Sequence, residues 1–295
     1  MKYSSAVAFR TALEQRLQAI AVDRSIPLAR LRKLVVFDRL MARLMIVALN
    51  RWILKGAVAL NYRKEAQFRT TKDLDIGRHD NEEAATEDFI AAQSQDLNDY
   101  FTFVIERTAG LDSIEDDLAV RYHVTASIAG RLFDDVTVDV GFGDPVNYEP
   151  EMLQGPDLLS FADITPSEVP ALPLEQHIAE KVHAYTRTYG EGKQSSRVKD
   201  LIDLVMISSE FEFKAKRLLL SLKSVFDKRA THELPTVLPA PPATWDVAYS
   251  RMANEVGLNQ HVDDGYKQVQ SFLDTVLSGK VKDNAKWDPA LRVWK

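Results

Sequence analysis

A chain of 295 residues with 45% hydrophobic side chains is long and apolar enough to bury one sizeable core or two smaller ones, which excludes a disordered or fibrous protein. Lys and Arg number 37 against 43 Asp and Glu, a formal net charge of -6; this excludes a polycation coating nucleic acid over its whole surface but leaves room for a local basic groove. Cysteine is absent, which removes disulfides, thiolate metal sites and a cysteine nucleophile and fits a reducing cytoplasm.

Residues 6–20 read as an amphipathic helix, not an export leader, since they hold no long apolar run and no cleavage site. A second helix over about 28–49 puts Leu34, Phe37, Met41, Leu44 and Ala48 on one face. Arg32, Arg39 and Arg43 lie on another, as a solvated face or a cationic edge. The most apolar stretch, LMIVALNRWIL, is broken by Asn50 and Arg51 and falls short of the roughly 20 apolar residues that span a bilayer. The expectation is a cytoplasmic protein with no membrane partner.

Residues 52–55, WILK, predict a short strand delivering the chain to Gly56, with a helix of about two turns through Tyr62. DLDI at 73–76, FTFVIER at 101–107, YHVTASI at 122–128 and DVTVDVGF at 135–142 read as strands by alternation or β-branched content. A helix rich in Ala and Glu fills 82–92. Short turns at Ala129-Gly130 and Asp134-Asp135 predict neighbouring antiparallel pairing.

Between 143 and 173 the prolines at 145, 150, 156, 166, 170 and 173 predict a linker or an irregular wrap with one or two short strands. Helical patterns follow at 174–189, 196–209, 212–228, 246–256 and 262–278, with a Pro-rich loop over 233–245. The expected fold class is α+β, a mixed α/β core over residues 1–165 that includes the N-terminal helices, followed by a helical C-terminal domain over 166–295.

Asp73 and Asp75 are two apart, so a strand places both carboxylates on one side while Leu74 and Ile76 point into the core. Asp139, between Val138 and Val140, is a third acid on a second strand of the same kind. Three converging carboxylates repel one another unless a cation joins them, and paired Mg²⁺ ions would remove that cost. Either acid segment alone also reads as the polar edge of an ordinary strand. The preceding segment, LKGAVALNY at 54–62, puts Gly56 at a strand-to-helix turn, where backbone amides and the helix dipole favour a triphosphate. Lys55 stands at that turn, either solvated or in reach of phosphate.

In these residues the chain resembles the AbiEii/AbiGii toxin family of nucleotidyltransferases, including the MenT-type toxins, within the DNA polymerase β-like superfamily. The superfamily pattern of a small-residue turn, a helix, Asp-x-Asp and a later third acid appears as Gly56-Ala57, Asp73-Leu74-Asp75 and Asp139. The family's fuller first motif appears as Lys55-Gly56-Ala57 and Arg69-Thr70-Thr71-Lys72-Asp73-Leu74-Asp75. Ala57 replaces the usual second small residue, so no serine hydroxyl is available there and only the backbone amide remains. Its Glu-Lys helix motif appears at Ala179-Glu180-Lys181, and its Arg/Lys-Asp motif at Arg197-Val198-Lys199-Asp200-Leu201-Ile202-Asp203.

The resemblance covers about residues 50–210 and implies a polymerase β-like nucleotidyltransferase core. It implies catalytic Asp73, Asp75, Asp139 and Lys181, with Asp73, Asp75 and Asp139 as ligands of two Mg²⁺ ions. Lys55, Gly56, Ala57, Arg69, Thr71 and Lys181 would meet the NTP, and Asp200 or Asp203 would orient Lys181 or the acceptor. His177 and His183 are six apart, which is not the helical spacing of a metal pair, and read as ordinary polar or half-buried histidines.

Residues 181–199 carry Lys181, Arg187, Lys193, Arg197 and Lys199 with Glu191 as the one acid, and the next helix adds Lys214, Lys216, Arg217, Lys223, Lys228 and Arg229. This clustering reads as a phosphate-backbone surface or as a charge-rich solvated helix. The resemblance favours RNA as partner, specifically the tRNA acceptor end, in a toxin whose antitoxin is encoded by the adjacent gene. Alternatives are a small-molecule or protein nucleotidyltransferase, or an inert binding protein on the same fold.

Overall fold

A computed structural model of the chain describes residues 1–64, 68–108, 119–143, 148–188 and 197–295. Helix α1 (Ala6–Asp23) starts at Ser5, whose hydroxyl accepts the Ala8 N–H, and buries Phe9, Leu13 and Leu17 at four-residue spacing. Helix α2 (Leu28–Val47) starts after Pro27. The chain then runs through β1 (Ile53–Leu54), α3 (Gly56–Arg63), β2 (Asp73–Arg78) and α4 (Glu82–Gln93). Asn81 caps α4 by accepting the Ala84 N–H, with Glu82 and Glu83 favourably placed in its first turn. Five strands follow: β3 (Phe101–Arg107), β4 (Ala119–Ile128), β5 (Arg131–Phe142), β6 (Glu151–Gln154) and β7 (Glu168–Ala171).

The remainder is α5 (Leu174–Thr186), α6 (Val198–Glu210), β8 (Phe213–Lys214), α7 (Ala215–Arg229), α8 (Asp246–Glu255), α9 (Val262–Leu277), β9 (Lys286–Asp288) and β10 (Val293–Trp294). The fold is thus mixed α/β, with a sheet-rich N-terminal region and a helical C-terminal region. Two compact units divide the chain: one holds α1–α4 and β1–β7, ending at Leu172, and the other holds Pro173–Lys295 with Phe68, Arg69, Tyr148 and Glu149. Among the described residues no helix is long and apolar enough to cross a membrane.

The seven strands of the first unit pair in the order β3-β4-β5-β2-β1-β7-β6. The β3-β4-β5 meander is antiparallel, as the short turns predict, but β2 joins β5 in parallel and β1 lies between β2 and β7. Ala129 and Gly130, both at positive φ, make the two-residue turn between Ile128 and Arg131. Asp134-Asp135 is not a turn: both residues lie within β5, whose ladder absorbs an irregularity opposite Ala126 and Ser127. The expected wrap after residue 143 does contain two short strands, β6 and β7, which pair antiparallel.

Strand alternation sorts side chains into two faces. Leu74, Ile76, Val120, Tyr122, Val124, Val136, Val138 and Val140 are buried in the core that α2 also enters, while Asp73, Asp75, Arg121, His123, Thr137 and Asp139 between them are half-buried.

Helix α2 departs from both expected readings of its arginines, the solvated face and the cationic edge. Arg32 remains half-exposed and pairs with Glu14, but Arg39 and Arg43 are buried. All five Arg43 N–H donors are used, on the Asp99 carboxylate and on the carbonyls of Arg39, Gln95 and Phe101. Arg39 bonds Asp38 at 2.5 Å and the Thr165 carbonyl at 2.8 Å, and the other Asp38 oxygen accepts both the N–H and the hydroxyl of Ser167. The chain segments entering β3 and β7 are therefore fastened to one helix by charge-assisted bonds.

The second unit is built on α6, whose Leu201, Ile202, Leu204, Val205 and Ile207 are buried, and on α9 with Val269, Phe272, Leu273 and Val276. Trp287 of β9 donates its indole N–H to the Ser208 carbonyl. The helical pattern at 212–228 begins instead with the β8 pair, which bonds to β9 before α7 starts.

Asp99→Ala leaves Arg43 buried without its carboxylate and is expected to cost about 3–5 kcal/mol of unfolding free energy. Urea denaturation checks this; a change within ~0.5 kcal/mol, typical of surface substitutions, contradicts the network's role.

Candidate active site

Parallel pairing of β2 with β5 sets Asp75 opposite Asp139 and Asp73 opposite Thr137. On the far side of β5, β4 sets Arg121 opposite Asp139 and His123 opposite Thr137. Directly opposed residues share a face, so two rows cross the sheet: Arg121, Asp139, Asp75 and, beside it, His123, Thr137, Asp73. All six are half-buried. The next row along is Ala119, Gly141 and Gly77, and the absent side chain of Gly77 makes room for the stem of Lys55. The structure therefore brings Asp73, Asp75 and Asp139 onto one face. Arg121 and His123 were not singled out from sequence, although the alternation through β4 puts them on this face once its register with Asp139 is known.

Arg121 grips Asp139 with Nε and Nη2, one on each carboxylate oxygen, both at 2.7 Å. Those bonds, with the charges of Asp139, Asp73 and Asp75, raise the guanidinium's pKa against the opposing effect of partial burial. Asp75 is fitted to the glycine turn. Gly56 has φ +61°, and a Cβ added there would stand 1.8 Å from Asp75 Oδ2, so only glycine permits both the left-handed backbone and the carboxylate's approach. The Asp75 carbonyl accepts the Lys55 N–H at 2.9 Å. The carboxylate thus sits at the N-terminus of α3, where the helix dipole favours negative charge.

Lys55 is buried, with its Cδ 3.0 Å from the place a Gly77 Cβ would take, so its stem lies along the sheet. Ala57 is buried and offers only backbone at the turn. The Thr71 hydroxyl is engaged at the start of β2, donating to the Asp73 carbonyl and accepting the Asp73 N–H.

In the second unit Lys181, Asp200 and Asp203 form a buried cluster. Lys181 Nζ bonds Asp203 Oδ2 at 2.6 Å and Asp200 Oδ1 at 3.4 Å. Arg69 bonds both Asp203 oxygens, at 3.0 and 3.1 Å, and Arg197 bonds Asp200 at 2.7 Å. The motif left open which aspartate orients the lysine; Asp203 is the nearer, and Asp200 is shared with Arg197. Burial opposes ionisation of Asp203, yet the charges of Arg69 and Lys181 outweigh it and hold the carboxyl well below the usual carboxylate range.

The oxygen donors Asp73 and Asp75 suit a hard divalent cation by chemistry and by shared face. Asp139 is committed to Arg121, and among the described residues no group of three or more Asp, Glu or His side chains is arranged to hold a metal ion. His177 and His183 are buried, and His183 bonds the Thr231 hydroxyl and lies against Phe226 and His232.

Of the basic residues, Lys199, Lys214, Lys216, Lys223 and Lys228 are exposed. Arg217 pairs with Glu175 and lies over the Tyr148 ring, and Arg197 is bound to Asp200. Lys193 and Glu191 lie outside the described residues.

The family described as nucleotidyl transferase AbiEii toxin, type IV toxin–antitoxin system, matches residues 39–276. The chain belongs to the AbiEii family. It is a nucleotidyltransferase of the toxin type. The AbiEii-family fold is also that of a solved structure, the nucleotidyltransferase toxin MenT4 of Mycobacterium tuberculosis, at 16% identity and a TM-score of 0.53, covering 89% of this chain and 98% of that one. JHP933 of Helicobacter pylori aligns over 84% of this chain and 90% of its own at 13% identity, with a TM-score of 0.45. No curated protein sequence matches the chain.

Two outcomes follow for this AbiEii-family chain. Gly56→Ala is expected to displace Asp75 and cost about 1–3 kcal/mol of stability, read as a lowered melting temperature together with lost transferase activity; parental values of both contradict the fit. For Asp203 the folded pKa is depressed, so its contribution to stability is present above the unfolded pKa and is lost as pH falls through the folded one. Asp203→Asn should therefore be less stable than the parent at neutral pH, with the gap narrowing once pH drops below about 4; a gap that does not vary with pH contradicts the ion cluster.

Proposed function

We propose that this chain is a Mg²⁺-dependent toxin that moves a nucleoside monophosphate from an NTP to an RNA hydroxyl at the 3′ acceptor end of tRNA, blocking translation in the cytoplasm. Its partner is an antitoxin encoded by the adjacent gene. The observation that carries the reading is the row in which Asp75 and Asp139 face each other across β2 and β5 with Asp73 beside them.

In the reaction the acceptor hydroxyl oxygen forms a bond to the α-phosphorus as the bond to pyrophosphate breaks, and the hydroxyl proton departs. When bound, Mg²⁺ supplies charge stabilisation at the transferred phosphoryl group and acidifies the hydroxyl. Asp73 and Asp75 would hold it, and Asp139 would complete the set and help activate the hydroxyl. The Gly56-Ala57 turn presents α3 backbone N–H groups to the triphosphate. Arg69, Thr71 and Lys55 contribute to nucleotide binding, and Lys181, oriented by Asp203 and Asp200, is a phosphate ligand. No covalent enzyme intermediate is needed, since positioning and electrostatics carry the rate. The exposed lysines of α7, with Lys199, favour a phosphate-backbone acceptor.

The test is transfer of label from each of four α-labelled NTPs, with Mg²⁺, into total cellular RNA, beside Asp75→Ala and a chelator control. The expected result is a labelled band of tRNA size, absent from both controls. Transfer retained by Asp75→Ala contradicts the metal assignment, and label entering only small molecules or protein contradicts the RNA acceptor.

A further inference from the structure

Asp139 belongs to the acid row, yet each of its two oxygens already accepts a bond from Arg121. Arg121 reaches it from the adjacent strand through a planar fork, with bonds of 2.7 Å to each oxygen, the geometry that makes arginine–carboxylate pairs strong and directional. The pair is partly open to solvent, its side chains 32% and 19% exposed, so neither partner is trapped by burial. Arg121 also feels Asp73 and Asp75 after its bonded partner Asp139, which places its positive charge among the same carboxylates that a divalent cation would join.

We propose that Arg121 is a positioning residue that competes with the divalent cation for Asp139. While the guanidinium grips that carboxylate, Asp139 is held away from the metal, and metal binding without nucleotide is weak. A triphosphate brings negative charge that takes over the guanidinium and frees Asp139, so the third ligand becomes available once substrate is present. This role rests on the metal-dependent reading above and adds to it a reason for the metal and the nucleotide to bind together.

The experiment measures Mn²⁺ binding to the full chain without nucleotide, from the loss of the free-ion electron paramagnetic resonance signal. Arg121→Met is expected to bind Mn²⁺ about tenfold more tightly than the parent, because a cation has left the row and a carboxylate has been released. Adding Asp139→Asn to Arg121→Met is expected to remove that gain. Arg121→Lys keeps the charge but lacks the fork, should fall between the parent and Arg121→Met, and carries the test if Arg121→Met does not fold.

Unchanged or weaker Mn²⁺ binding in a folded Arg121→Met overturns the proposal. So does a gain that survives Asp139→Asn, since the effect would then be general charge and not release of this ligand. Binding that is lost in Asp75→Ala but indifferent to Arg121 leaves the metal reading standing and sinks this inference alone. Absence of any Mn²⁺ binding sensitive to Asp75 sinks both.

Discussion

Parallel pairing of Asp73–Arg78 with Arg131–Phe142 is the constraint on which the site depends. It aligns Asp75 with Asp139, side by side on neighbouring strands, where directly opposed side chains start about 5 Å apart. At that spacing two full charges in an effective dielectric of about 20 repel by roughly 3 kcal/mol. A sheet tolerates such a row only with a counter-charge. Arg121, one strand further along in the same register, supplies it. The like-charge cost is thereby spread over a four-residue cluster whose remaining negative charge suits a second cation.

Everything else near the row serves to keep that register. Gly56 is the residue that lets α3 begin against the Asp75 carboxylate. Lys55 lays its stem along Gly77 and bonds back to the Asp75 carbonyl through its own N–H. On α2, Arg39 and Arg43 fasten the approaches to β7 and β3 with bonds that leave none of the Arg43 donors idle. A slip of one residue in β5 would turn Asp139 into the apolar core and Val138 or Val140 toward solvent, so the hydrophobic alternation and the acid row specify the same register.

Much of this was legible in the sequence. Period-two alternation located Asp73, Asp75 and Asp139, and the order of strand, glycine turn, helix and Asp-x-Asp carried the family resemblance that the match over residues 39–276 bears out. Partnership was harder to read. Arg39 and Arg43 look like a solvated face because a helix pattern shows charge but not the distant carboxylates, Asp99 above all, that bury it. Asp134-Asp135 resembles a turn by residue type, yet Ala129-Gly130 already closes the hairpin and the strand continues through both aspartates with an irregularity beside them. Arg121 was invisible for the same reason: its meaning lies across a ladder, opposite Asp139. Asp200 and Asp203 are equivalent by spacing and are separated only by the 2.6 Å bond from Lys181.

Metal-assisted nucleotide chemistry is proposed for the Asp73, Asp75, Asp139 face. Anomalous diffraction from crystals grown with Mn²⁺ and an NTP analogue that resists α-phosphoryl transfer tests it most directly. The expected result is a Mn²⁺ peak at about 2.2 Å from oxygens of Asp73 and Asp75, with the analogue's α-phosphate beside it. A peak or a nucleotide seated elsewhere, with this face left bare, would contradict it.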